Sequence, residues 1–343
     1  MATLKDVARL AGVSISAASR VLTDAPSARA SDVTRERIRA AAAELNYRPN
    51  FAGRALKFSR TNVIALIVPD LTNAFLTELM LGVEDEAARR GYLLLLGRSE
   101  DTEPAGDMIS RLIGEGRVDG MLLQANDDRT ADQIQRLISA DLPVVFMNSI
   151  EAGQSGGVIL DDQAGAGLAT RHLIELGHTD IAMIGGLVSN PTARRRAVGF
   201  RAAMTAAGLA AGPETVTTLG YYPHEGRAAI RALMSRPRPP TGIVVANVNA
   251  AIGALSEARR LGLRVPEDLS LVSVHDSWTA ENTWPPLTTV KMPLYDLGRA
   301  AVTALHQRLN GVSEQVRIVS EPPPQLVVRE STRRLIEGAS SKR

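Results

Sequence analysis

The chain has 343 residues, a net charge of only +2 and no cysteine, which excludes disulfides and thiolate metal sites and fits a reducing compartment. Its length suits two or three compact units, and apolar runs such as Ile64 to Val68 or Leu93 to Leu96 are strand-length, so neither a signal peptide nor a membrane span is expected. Charge is unevenly spread: residues 1–60 hold eleven Lys or Arg against five acids, a net of +6, while the remainder is net acidic by 4, which confines a positive field to one end.

Residues 3–22, TLKDVARLAGVSISAASRVL, predict two short helices joined by a Gly-containing turn, the helix-turn-helix pattern of DNA readers. Thr3 with Asp6 has capping-box spacing, and Leu4, Val7, Ala8 and Ala11 form one apolar stripe. Gly12 stops the first helix and Ser14 caps the next, about Ile15 to Leu22. Ala18, Val21 and Leu22 are expected to face inward, leaving Ile15, Ser16, Ala17, Ser19 and Arg20 to look outward. A third helix, from near Ser31 to Leu45, would close the core with Val33, Ile38, Ala41, Ala42 and Leu45.

Beyond Asn62 short apolar runs alternate with helical patterns. Strands are predicted at Val63–Val68, Tyr92–Leu96, Gly120–Leu123, Val144–Met147, Val158–Leu160, Ile181–Ile184, Ile243–Ala246 and Leu269–Val274. This alternation argues for an α/β region of parallel sheets covered by helices on both faces, and TNVIALIVPD (from Thr61) and TDIAMIGG (from Thr179) look like the openings of two similar halves. Two doubly wound lobes would place ligand-facing loops at the carboxyl ends of their strands, with a cleft between them.

Thr3 to Leu22, Thr34-Arg35-Glu36, the run Leu45-Asn46-Tyr47-Arg48-Pro49-Asn50 and Val68-Pro69-Asp70 resemble the lactose-repressor (LacI/GalR) family of transcriptional regulators. The match continues through Pro143, the RHLIELGH run from Arg171 to His178, Pro266 to Leu269 and Pro285 to Thr289, so it covers nearly the whole chain. The resemblance implies a helix-turn-helix domain (1–49), a hinge (50–60) and a periplasmic-binding-protein-like effector and dimerisation domain (61–332). In that domain one lobe is about 61–160 and 292–321, the other about 161–291 and 322–332, and residues 333–343 are expected to form a flexible tail. It further implies a cytoplasmic bacterial repressor, a homodimer on a pseudo-palindromic operator in double-stranded DNA, and a small-molecule effector; no cofactor, metal or membrane partner is expected. The tail lacks a leucine heptad, which favours a dimer.

By the same resemblance Ile15 and Ser16 occupy base-choosing positions, and Arg20 is the strongest candidate to read guanine. Ser14, Ser19, Thr23, Thr34 and Asn50 match phosphate-side positions, with Thr3 and Leu4 also on the DNA-contacting set. Ala17 stands where the family usually has Thr, which removes one hydroxyl contact. In the hinge run NFAGRALK, Leu56 falls on the position that wedges between base pairs, although an ordinary linker role is the alternative, and Gly53 replaces the usual alanine. Glycine costs about 1 kcal/mol in a helix relative to alanine, so this hinge should fold less readily.

At the ligand end, Asn73 and Phe75 match the family's first effector loop, and Arg196 matches a ligand-binding arginine. Asn190 to Thr192 should open that helix, placing Arg194, Arg195 and Arg196 in its first turn, where the helix dipole disfavours positive charge and a negative or hydroxyl-rich partner is called for. A solvated basic face is the alternative for Arg194 and Arg195. Asn148 stands where many sugar-responsive members carry Asp, and Asn247 matches a hydrogen-bonding Asn. His275 takes the place of a ligand-holding Asp, and Asp276 keeps the second acidic position. Phe75, Tyr221, Tyr222, Trp278 and Trp284 fall in loops after strands, where aromatic faces suit a sugar ring or, alternatively, seal lobe edges. With acceptors removed and Arg196 retained, the expected effector is a sugar or sugar derivative more anionic than a neutral hexose, such as a sugar acid or phosphosugar.

Gly153-Gln154-Ser155-Gly156-Gly157 has GxSxG spacing, but it precedes a strand instead of joining a strand to a helix, so a turn is expected. No phosphate loop, HExxH or GxGxxG is present, and the chain is not expected to be an enzyme. The competing class is a sugar-binding or carbohydrate-active α/β protein without regulatory DNA binding, which the basic charge confined to residues 1–60 argues against.

Overall fold

The computed structural model describes residues 2–22, 30–48, 60–71, 73, 75–98, 114–124, 142–150, 156–312 and 315–335. The chain divides into two units, Met1–Asn62 and Val63–Arg343. In the first, α1 (Leu4–Leu10), α2 (Ile15–Leu22) and α3 (Asp32–Glu44) surround a core of Val7, Ala8, Ala11, Ala18, Val21, Ile38, Ala41 and Ala42. The Thr3–Asp6 capping box forms, with the Thr3 amide 3.0 Å from Asp6 Oδ2 and the Asp6 amide 3.4 Å from Thr3 Oγ1. Gly12, at φ +63°, makes the turn in the left-handed conformation that a side chain disfavours. Ser14 Oγ then accepts from the Ala17 amide at 3.1 Å and starts α2. One core expectation is corrected: Val33 is 77% exposed. It lies five residues before Ile38, about 140° around the helix from the buried face that Ile38, Ala41, Ala42 and Leu45 share.

In the second unit β1 (Val63–Val68), β2 (Leu93–Arg98), β3 (Gly120–Leu123), β4 (Val144–Met147) and β5 (Gly157–Leu160) build one sheet, interleaved with α4 (Leu76–Arg89). A second sheet takes β6 (Ile181–Gly185), β7 (Val216–Thr218), β8 (Gly242–Val245), β9 (Ser270–Val274) and β10 (Thr288–Lys291). Its helices are α5 (Asp162–Glu175), α6 (Pro191–Ala206), α7 (Pro223–Met234) and α8 (Val248–Arg260). The chain then returns to the first sheet through α9 (Leu294–Leu309) and β11 (Arg317–Val319), and ends in the second with β12 (Gln325–Val327). Strand orders are β11-β5-β4-β3-β1-β2 and β12-β10-β9-β8-β6-β7, parallel throughout except for β12 against β10. The two lobes expected from the alternating pattern are thus both doubly wound, and the chain passes between them three times.

All eight predicted strands form. Four that were not predicted, β7, β10, β11 and β12, have only three or four residues each, and three of these lie at sheet edges. Residues 333–335, assigned above to a free tail, are held: the Arg333 amide donates to Ser270 Oγ at 3.1 Å and the Leu335 amide to the Leu176 carbonyl at 2.8 Å. Among the described residues no helix is long and apolar enough to cross a membrane.

Helix pairs approach through glycine. On α4 and α9, a Cβ on Gly82 would lie 2.0 Å from the Tyr295 carbonyl oxygen, and one on Gly298 2.3 Å from that of Leu79. The same interface buries Glu86, which takes Arg89 Nε at 2.8 Å, Arg90 Nε at 2.6 Å and Thr303 Oγ1 at 3.1 Å. The Arg89 bond, helped by Arg90 and Thr303, holds its carboxyl at about 2, against burial, which pushes the other way.

This folded value lies below that of a free glutamate, so the stabilisation is complete above about pH 4.5 and is lost as the pH falls towards 2. Glu86→Gln is therefore expected to destabilise the unit at pH 7 by on the order of 2 kcal/mol. In urea titrations the gap from the parent should narrow steadily as pH is lowered from about 5 to 3; a gap independent of pH would remove the carboxylate from this role.

Candidate functional site

Two regions collect the residues singled out by sequence. On α2, Ser16 and Arg20 are exposed, Ile15 is 49% exposed, and Ala17 and Ser19 are half-buried, so the side opposite Ala18 and Val21 is a small, mixed surface ending in a guanidinium. Ser14 and Thr34 sit at helix starts, Thr34 Oγ1 being 2.9 Å from the capping Ser31 Oγ. Thr3 is exposed and engaged in its capping box, whereas Leu4 packs against the three-helix core. Thr23, Asn50, Gly53 and Leu56 lie outside the described residues.

The second region is a cleft of about 180 Å³ between the two lobes. Asn73, Phe75, Asn148, Arg196, Tyr221, Asn247 and His275 all line it, together with Gln124, Asn190, Thr192, Tyr222 and Glu225. The strands explain the convergence. Asn148 follows β4 and His275 follows β9, both in the left-handed region at φ +54° and +68°, which turns each side chain inward at the carboxyl end of a central strand. Asn247 caps α8, its Oδ1 accepting from the Ala250 amide at 2.8 Å. Asn190 caps α6 in the same way, with Pro191 in the first turn.

The floor of the cleft is a buried charge cluster. Asp162, with no exposed surface, accepts from Arg195 Nη2 at 2.8 Å through one oxygen and from Arg196 Nε at 2.9 Å through the other. Arg196 also donates to the Ala246 carbonyl at 2.5 Å and from Nη2 to His275 Nε2 at 2.6 Å, and its guanidinium carbon lies 5.9 Å from the Tyr221 ring centre. With α6 starting at Pro191, Arg195 and Arg196 fall in its second turn and not its first; the partner called for is nonetheless supplied, for these two arginines, from within the chain. The solvated alternative fails for Arg195, which is 8% exposed.

Because arginine only donates, His275 Nε2 must accept, which puts the imidazole proton on Nδ1. That Nδ1 is buried and has no hydrogen-bond partner, and Gln124 Oε1 is a buried acceptor in the same condition. Phe75 covers the His275 ring at 5.4 Å between centroids. Burial first, and then the Arg196 charge, push the imidazole well below its ordinary range, so the site holds a neutral histidine.

Two candidates lie elsewhere. Asp276 points to the sheet edge, where Arg329 grips it at 2.9 and 3.1 Å and Thr289 Oγ1 donates at 2.7 Å. Burial raises its carboxyl, but Arg329 and Thr289 outweigh that and leave it below the usual range. Trp278 is 67% exposed at the start of a short helical turn, and does not line the cleft. Gln124 and Thr192 were not singled out, although each follows a strand or opens a helix at the ligand-facing end, which was the available signal. Arg195 stood only in the arginine run that called for a negative partner, and Asp162, that partner, gave no signal, since the pairing joins residues 33 positions apart. Among the described residues no group of three His, Asp or Glu side chains could hold a metal ion.

Residues 3–50 match the model of bacterial regulatory proteins of the lacI family, and residues 170–332 that of the periplasmic binding protein-like domain. The chain is 33% identical to the HTH-type transcriptional repressor PurR of Vibrio campbellii over 98% of its own length and all of the relative's. Among solved structures, the lac repressor dimer bound to operator and the anti-inducer ONPF superposes with a TM-score of 0.81 at 28% identity, covering 97% of this chain and 99% of that one. The transcriptional regulator CelR–cellobiose complex does so at 0.73 and 29% identity, covering 96% and 100%.

A buried imidazole that stays neutral has a folded-state pKa below that of the unfolded chain. Its stability contribution is therefore complete above about pH 6.5 and lost as pH falls. His172 and His178, also lowered by burial, add to the same window. His275→Asn, which suits the left-handed backbone, is expected to remove up to about one proton from the pH dependence of urea stability, a difference of about 1.4 kcal/mol in total between roughly pH 7.5 and 5.5. An unchanged slope would mean that His275 titrates in the folded protein as it does in the unfolded chain, and is not held neutral by its site.

Proposed function

The chain belongs to the LacI family of bacterial regulatory proteins and is a DNA-binding transcriptional repressor, and from that premise we propose how it is built to switch. A homodimer reads a pseudo-palindromic operator with α2, and a small molecule in the cleft changes the angle between the lobes and so the spacing of two paired hinge segments. The observation that carries the DNA half is the outward face of α2, with Ile15, Ser16 and Arg20 presented on a unit whose sequence holds the chain's positive charge. An α-helix of this kind fits the major groove, where Arg20 suits guanine and Ile15 a thymine methyl. Ser14, Ser19, Thr23, Thr34 and Asn50 would fix register on phosphates, and Leu56 would wedge a base step from the minor groove. We take residues 1–49, 50–60 and 61–332 as the reading, hinge and sensing segments.

The effector is proposed to be a sugar-derived acid. Support comes from the cleft floor, where two arginines share one aspartate and leave an excess positive charge in buried surroundings. His275 adds a donor where a carboxylate acceptor would favour sugar hydroxyls, and Asn148 is neutral. Phe75 and Tyr221 offer faces for a ring, in keeping with a relative that binds cellobiose. Asp70 and Glu225 also line the cleft, but Glu225 already accepts from the Tyr222 amide at 2.7 Å.

Genomic fragments captured by the full chain will yield its operator. On that operator Leu56→Ala is expected to weaken binding far more than on random DNA at the same salt, because a wedge acts only where the duplex is kinked; equal losses on both would remove the wedge. In a thermal-shift screen, acids such as glucuronate or gluconate should raise the melting temperature of the full chain while glucose and ribose do not. The reverse ranking would reject the acidic effector while leaving the DNA reading intact.

A further inference from the structure

We propose that Arg195 is a positioning residue that clamps the two lobes together and, through Asp162, holds the cleft arginine Arg196 in place. Arg195 stands on α6, a helix of the second lobe, yet its guanidinium crosses to the first. Nη1 donates to the Ile150 carbonyl at 2.9 Å, and Nη2 lies 3.2 Å from the Asn148 carbonyl and 3.1 Å from Asn148 Oδ1. Nε and Nη2 face Asp162 Oδ2 at 3.0 and 2.8 Å. The side chain is 10% exposed and Asp162 not at all. Apart from a contact of Nη2 with Thr192 Oγ1 on its own helix at 3.2 Å, the guanidinium bonds to the carboxylate behind it and to the segment after β4 in front of it.

Parting the lobes along this joint would strip a buried cation of its carbonyl partners and leave those carbonyls without their donors. That is the kind of loss a buried, charge-assisted network resists most strongly. The clamp also bears on the cleft. Asp162 is shared: its other oxygen takes Arg196 Nε, which fixes the guanidinium that donates to His275. Without Arg195, both carboxylate oxygens are open to Arg196, which can turn towards them and away from His275. Lysine cannot substitute, because one ammonium cannot reach Asp162 and two carbonyls at residues 148 and 150 at once. The inference stands on the lobe joint alone and does not depend on the class of effector.

The chain has no cysteine, so Glu84→Cys and Ser256→Cys, exposed positions on α4 and α8, place one spin label on each lobe of the full-length protein. Diluted with unlabelled protein and without added ligand, the parent should give one narrow inter-lobe distance by pulsed dipolar spectroscopy. Arg195→Met should shift that distance by several ångström and broaden it, and Arg195→Lys should do the same despite keeping the charge. If Arg195→Met does not fold, Arg195→Lys decides the matter by the same reading. A lowered melting temperature with an unchanged distance distribution would assign Arg195 a merely structural role and overturn the proposal.

Discussion

Asp162 is one carboxylate with no exposed surface, set between two arginines that are themselves nearly buried. Removing three charges from water is costly, and the arrangement is tolerable only because nearly every donor meets an acceptor: two carboxylate oxygens, three main-chain carbonyls, an asparagine amide oxygen and an imidazole nitrogen. The acceptors come from both lobes, so satisfying the cluster and setting the lobes against each other are one and the same requirement. Arg195 and Arg196 lie in the second turn of α6, past the reach of its N-terminal dipole, so the cost to be offset is that of burial. Asp162 opens α5, where the dipole favours its own charge, so packing α5 against α6 offsets the penalty from the other side.

Much of this architecture was legible beforehand because its signals are local. Thr3 with Asp6, Gly12, Ser14 and Asn190 with Pro191 each carry their own chemistry and mark helix ends within a residue. Central strands bury both faces and read as unbroken apolar runs, as in Val63–Val68 and Ile181–Gly185. Strands such as Arg317–Val319 and Gln325–Val327 have three residues, one neighbour each, and too little length for any period to appear. Val33 misled because apolar character was read without phase. In the cleft, seven of nine candidate positions converge, since backbone geometry at strand ends fixes them. Asp276 and Trp278 diverge because the left-handed turn at His275 directs that ring inward and sends the next residues towards the sheet edge.

The polarity of the cleft floor could not be read from residue types alone. Histidine at position 275 is an acceptor, a donor or a cation depending on its neighbours, and here Arg196 decides: a guanidinium at 2.6 Å forbids a proton on Nε2 and opposes a second charge. The imidazole is left with a buried Nδ1–H and no acceptor for it, while Gln124 on the other lobe holds an unmatched acceptor. A molecule that offers a lone pair to the first and a hydrogen to the second satisfies both lobes in one pose. Such groups are costly to leave unpaired, so they weigh against ligands of the wrong polarity more than they reward the right one.

A ligand in such a cleft can shift the lobe angle only as far as its affinities for the two angles differ. Contacts confined to one lobe cannot supply that difference unless something converts them into a contact with the other. Arg196 belongs to the second lobe, and all its protein partners do too; its route to the first runs through Asp162 to Arg195 and on to residues 148 and 150. A ligand that merely rested on Arg196 would distinguish the two lobe angles only as far as this indirect route carries the difference. One that also touches Asn148 or Gln124 engages the first lobe directly, adjacent to the carbonyls that Arg195 holds. The residues able to turn binding into switching are therefore those at the joint, and the arginine that faces the ligand acts only through them.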